Sequence, residues 1–130
     1  MQRIQRCQNK YARFVLNADK YTPSSFLLNT LHWQSIEQRI KYHQCLTVYK
    51  ILSNRVPLYL KSLVKNRPVY YHTRYAVNSP IFVPTPRTQY MKTSFTYQAS
   101  TMFNSLPLQI QTCQTIDNFK KLCRTFSFTF

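Results

Sequence analysis

Apolar residues recur along most of this chain at three- and four-residue intervals, which predicts a structure made mainly of helices. The clearest stretch covers residues 35–56. Tyr42, Cys45, Leu46, Tyr49, Leu52 and Val56 form one apolar stripe there, and Ile36, Ile40 and Ile51 fall roughly opposite it. Two apolar faces predict contact on two sides, so this is expected to be the central helix. Arg39, Lys41, Lys50 and Arg55 fit the strips between the faces, where long stems lie on apolar surface with their charges in water. Ser35 with Gln38 after it predicts a capping-box start, because each side chain can satisfy an orphan amide of the other. Pro57 stops this helix or opens the next as its first residue.

A second amphipathic helix is predicted over 3–18. Ile4, Cys7, Tyr11, Phe14, Val15 and Ala18 share a face expected to turn inward, and Arg3, Arg6, Lys10 and Arg13 form a neighbouring basic ridge about three turns long. The ridge reads either as a solvated surface or as a phosphate contact. A helix starting almost at the first residue, with nothing ahead to cap it, suggests an excerpt from a longer chain. Thr22 and Pro23 predict a cap and first position for a short helix through Phe26, Leu27, Leu28 and Leu31, with Trp33 packed near the entrance of the central helix. Leu58, Leu60, Leu63 and Val64 predict another short helix. Thr93 or Ser94 caps one that carries Phe95, Ala99, Met102 and Phe103 on one side and ends at Asn104, Ser105, Leu106 and Pro107. Thr115 caps the last, with Asp117 in its first turn, where negative charge suits the dipole. Its stripe is Ile116, Phe119, Leu122, Cys123 and Phe126, with Lys120, Lys121 and Arg124 outside.

Residues 65–92 break this pattern. Pro68, Pro80, Pro84 and Pro86 exclude a continuous helix, and Val69, Tyr70, Tyr71, Tyr75, Ile81, Phe82 and Val83 favour extended backbone, with Arg67, Arg74 and Arg87 between them. Aromatic faces can stack on unpaired bases while arginines follow phosphates; alternatively the aromatics pack back onto the helices. The expected fold is a mainly α small bundle with a long Pro- and aromatic-rich extended segment between helices. Its parts are 1–64, 65–92 and 93–130, within a single domain.

Charge narrows the function. Eighteen Lys and Arg against three Asp and Glu give a net charge of +15 over 130 residues, a self-repulsion that a polyanion relieves. Nucleic acid is the leading partner class and an anionic membrane surface the second. With 44 % hydrophobic and 15 % aromatic residues, the composition is not that of a disordered chain. Glycine is absent, which excludes glycine-dependent phosphate cradles and leaves positive-φ turns to residues such as Asn17, Asn54, Asn66, Asn78 and Asn104. Cys7, Cys45, Cys113 and Cys123 show no close pairing and read as free thiols of a reducing compartment. No signal-peptide core or membrane-length apolar run is present, so a nuclear or cytoplasmic location without membrane partners is expected.

Catalytic chemistry is missing. Two-metal polymerases and nucleases need clustered carboxylates, and here only Asp19, Glu37 and Asp117 exist, each at or near a helix start or turn. His32, His43 and His72 lack the spacing with cysteine that a zinc site needs. We therefore expect no catalytic residue, no metal, no cofactor and no small-molecule substrate.

Several ordered patches carry a family likeness. They are Ile4-Gln5 with Gln8-Asn9 and Arg13; Tyr21-Thr22-Pro23 with Leu27-Leu28 and Trp33; Arg39, Tyr42 and His43; Tyr49-Lys50; and Pro57 with Tyr59-Leu60. His72-Thr73-Arg74, Val83-Pro84, Pro86-Arg87-Thr88, Lys92, Ser94-Phe95, Tyr97 and Phe103-Asn104-Ser105-Leu106-Pro107 follow. Nearly the whole chain thus resembles the region downstream of the polymerase palm, the thumb and beyond, in reverse transcriptases of jockey-like, LINE-type non-LTR retrotransposons. The resemblance implies a region that holds RNA or an RNA–DNA duplex and performs no chemistry, since the catalytic aspartates belong to the absent palm. By matched position it points to Arg13, Arg39, Arg74, Arg87 and Lys92. With Arg3, Arg6, Lys10 and Arg67 these form the expected nucleic-acid-binding set. The alternative it implies is a module whose apolar faces dock on the upstream palm, without nucleic-acid binding of its own. Phe103 stands where the family usually has Trp, Asn17 and Ala18 replace its usual glycine, and the terminal zinc knuckle of some relatives is missing.

Overall fold

The computed structural model describes residues 2–68 and 80–126. Among them lie eight helices and no strand beyond an isolated bridge. The chain divides into two compact units, Met1–Ile40 and Lys41–Phe130, at a point inside the central helix.

The first unit contains α1 (Gln2–Leu16), α2 (Ser24–Thr30) and the first turn of α3 (Ile36–Leu52). Its buried residues are Ala12 and Leu27. The face of α1 expected to turn inward is turned outward instead. Ile4, Tyr11, Phe14 and Val15 are 58, 66, 86 and 58 % exposed, and Cys7 is exposed as well. The covered side carries Gln5, Gln8, Asn9, Ala12 and Leu16. The reason lies in backbone satisfaction. Gln5 Oε1 accepts the Ile36 N–H at 2.9 Å, and Gln8 Nε2 donates to the Gln34 carbonyl at 2.8 Å. The first N–H groups of a helix have no partner within it, and an amide side chain supplies one where a hydrocarbon could not. Gln5 Nε2 also donates to Gln8 and Asn9, both at 2.9 Å, which fixes the row.

The start of α3 is the expected capping box: Gln38 N–H donates to Ser35 Oγ at 3.3 Å and Ser35 N–H to Gln38 Oε1 at 3.1 Å. The helix ends at Leu52, short of the expected 56, because Asn54 takes φ 56° and turns the chain. Asn17 does the same after α1 with φ 47°. In a chain without glycine, asparagine is the residue that tolerates this region best. His32, at φ 53°, is a third such position that the sequence did not single out, and neighbouring Trp33 is 39 % exposed, so it is only partly packed.

The second unit holds the rest of α3, then α4 (Leu58–Lys61), α5 (Gln89–Lys92), α6 (Phe95–Asn104), α7 (Leu108–Gln111) and α8 (Ile116–Thr125). The core joins Tyr42, Cys45, Val48, Tyr49 and Ile51 of α3 to Ala99 and Phe103 of α6, Ile110 of α7 and Phe119 and Cys123 of α8, with Val64, Ile81 and Leu106 from loops. The Phe119 ring stacks on Tyr49, with centroids 4.3 Å apart, and lies 6.3 Å from Phe103. Burial of each such aromatic contributes roughly 1.5–3 kcal/mol. Ser94 and Thr115 cap α6 and α8, accepting the N–H of Tyr97 and Asn118, each at 3.4 Å. Gln111 Nε2 donates to the carbonyls of Phe103, Asn104 and Leu106, at 2.7–3.3 Å, and so satisfies the open end of α6.

Within 65–92 the extended expectation holds only in part. Asn66 and Ile81 form an antiparallel bridge, but α5 is a helical turn capped by Thr88, and α7 after Pro107 was likewise not anticipated. Val69, Tyr70, Tyr71, His72, Arg74, Tyr75 and Asn78 lie outside the described residues.

Candidate nucleic-acid interface

Three faces of α1 determine what the first unit can offer. One is the covered amide row; the next carries Arg3, Arg6 and Lys10; the third is the outward apolar stripe. Arg3, Arg6 and Lys10 are exposed and lie along one side of the helix at three- and four-residue spacing. At 1.5 Å of rise per residue they span about 10 Å, the reach of several phosphates along a strand. Arg13 continues the row differently. It is half-buried, and its Nη2 donates to the Thr22 carbonyl at 3.3 Å, so it ties α1 to the loop ahead of α2, while its buried Nε has no hydrogen-bond partner. Arg39 is exposed on the first turns of α3.

In the second unit Arg87 is exposed just ahead of α5 and Lys92 is exposed at its last position. Arg67 is half-buried beside the bridge, where its backbone N–H donates to the Pro80 carbonyl at 2.9 Å. Arg74 lies outside the described residues. Among the described residues the expected set is therefore spread over both units: Arg3, Arg6 and Lys10 are gathered on one side of α1, and Arg39, Arg67, Arg87 and Lys92 lie on other segments.

Two residues of this unit were not in that set. Phe82 N–H donates to the Lys65 carbonyl at 2.9 Å, and with Arg67 to Pro80 this pair of bonds flanks the Asn66–Ile81 bridge. Lys65 and Phe82 thus stand opposite each other on the two bridged segments. Side chains alternate along extended backbone, so Ile81, fully buried, points to the core and Phe82, 46 % exposed, points away on the side of Lys65. The aromatic composition of 65–92 hinted at Phe82; its pairing with Lys65 depends on a register that spacing does not reveal.

Asp117 pairs with Lys120 at 3.2 Å within α8. Among the described residues no group of His, Cys, Asp and Glu could hold a metal ion. Burial pushes the thiols of Cys45 and Cys123 up to about 12, with like-charge repulsion from Cys123 and Cys113 respectively as the second cause, so both are protonated and unreactive at neutral pH. No described helix is long and apolar enough to cross a membrane. Comparison of the chain with protein-family models, with curated proteins and with solved structures gave no match.

Proposed function

We propose that this chain is a non-catalytic, basic nucleic-acid-binding module that contacts RNA or an RNA–DNA duplex in the nucleus or cytoplasm. The observation that carries the reading is the exposed row of Arg3, Arg6 and Lys10 on α1, on a chain of net charge +15. Such a row neutralises phosphates and releases their counterions without reading sequence. Its origin, on this reading, is the region beyond the palm of a jockey-like, LINE-type non-LTR retrotransposon reverse transcriptase, retained as a remnant or fragment without polymerase activity of its own. The patches named above support that origin. With about four phosphates contacted, log affinity for an RNA–DNA duplex should fall with log salt at a slope near −3.6, on the order of a hundredfold between about 50 and 200 mM.

A second reading is favoured by one observation, the outward apolar stripe of Ile4, Tyr11, Phe14 and Val15. Contiguous exposed apolar surface marks interaction sites, and in a polymerase fragment the occupant would be the palm upstream. A salt-independent or absent response to duplex favours this docking module over the nucleic-acid binder.

A further inference from the structure

We infer that the cleft beside the Asn66–Ile81 bridge seats one unpaired nucleobase, stacked on the Phe82 ring with its flanking phosphate on the Lys65 ammonium; the inference rests on the nucleic-acid reading above. The cleft lies wholly within the second unit, has a volume of about 230 Å³, and is lined by Ser62, Leu63, Lys65, Phe82, Pro84 and Thr96. Pockets for drug-sized ligands occupy roughly 300–1,000 Å³, so this one suits a single planar ring system better than a whole metabolite.

The register supplies the rest of the argument. Ile81 is anchored in the core, which turns the ring of Phe82 outward and holds it across from Lys65. A half-exposed ring, a proline and a leucine give the cleft apolar lining, and a lysine lines it with them. Stacking on an aromatic face needs a base whose π-face is free, as in a single strand, and the bases of a duplex already stack on their neighbours. Two hydroxyl residues line the cleft as well. Ser62 Oγ donates to the Tyr59 carbonyl at 3.0 Å, which leaves its oxygen able to accept from a base N–H such as N3–H of uracil, and Thr96 brings the second from the first turn of α6.

The test measures affinity of the full chain for two probes at fixed salt, a short oligouridylate and an RNA–DNA duplex of equal length. Phe82→Ala should weaken oligouridylate binding about tenfold and leave duplex binding unchanged. Phe82→Leu, which keeps apolar bulk without a ring, should behave like the alanine variant, and Phe82→Trp should bind the single strand as the parent does. Equal losses on both probes, or none on the oligouridylate, overturn the seat while the nucleic-acid reading stands. A parent chain that binds neither probe overturns both.

Discussion

The carboxamide of Asn104 pairs with both backbone groups of Ile81: Oδ1 accepts the Ile81 N–H at 3.2 Å and Nδ2 donates to the Ile81 carbonyl at 2.8 Å. A side chain at the end of α6 thus takes the place of a neighbouring strand, and it holds Ile81 in the core beside the Asn66–Ile81 bridge. Asn104→Ala should lower stability by about 1–3 kcal/mol, because these backbone groups lose their partner. Urea unfolding measures this, and a loss below about 0.5 kcal/mol, typical of an uninvolved surface site, would speak against the role given to the pair.

The reversed helix α1 makes a paired prediction. Gln5→Ala removes the acceptor of the Ile36 N–H and should cost about 1 kcal/mol, whereas Phe14→Ser, at an 86 % exposed apolar position, should change stability by less than about 0.5 kcal/mol. If Phe14→Ser proves the more damaging of the two in thermal unfolding, the apolar stripe is covered after all.

Thiol chemistry separates the four cysteines. Cys7 is exposed, Cys113 is half-buried, and Cys45 and Cys123 are buried. An aromatic disulfide reagent at neutral pH should therefore label Cys7 first, and it should reach Cys45 and Cys123 only in denaturant. Prompt labelling of all four in native buffer contradicts the packing of α3 against α8.

The same two thiols bear on stability in alkali. Folded Cys45 and Cys123 keep their protons up to about 12, while unfolded they release them near a thiol's ordinary value of 9.0. The folded state then binds more protons between these values, so this contribution is fully present below about pH 9 and is lost as pH rises through the window. The loss approaches about 1.4 kcal/mol per pH unit for each thiol. In Cys45→Ala/Cys123→Ala the fall should be shallower than in the parent, as read from unfolding midpoints across that range; parallel curves would exclude it.

Legibility in the sequence followed the reach of each interaction. Caps act within three residues, so Ser35 with Gln38, Ser94 and Thr115 could be identified from the sequence. Asn17 and Asn54 were visible because a chain without glycine leaves few residues for positive φ. The inner face of α1 was not visible. Periodicity shows that a helix has an apolar side but not which side is covered, and here hydrogen bonds of the Gln5 and Gln8 carboxamides to backbone groups 31 and 26 positions away decide it. The single-turn helices Gln89–Lys92 and Leu108–Gln111 are too short for any period to register. For the candidate interface, the row of Arg3, Arg6 and Lys10 was readable from spacing alone, whereas the facing of Lys65 and Phe82 needed the bridge that sets their register.

The most direct measurement for nucleic-acid binding through α1 compares the parent with Arg3→Gln/Arg6→Gln/Lys10→Gln by titrating an RNA–DNA duplex at several salt concentrations. Each lost phosphate contact should reduce the log–log salt slope by about 0.9, so the three substitutions together should flatten it by about 2.7. A variant whose slope and affinity match those of the parent would contradict a phosphate-binding role for this helix.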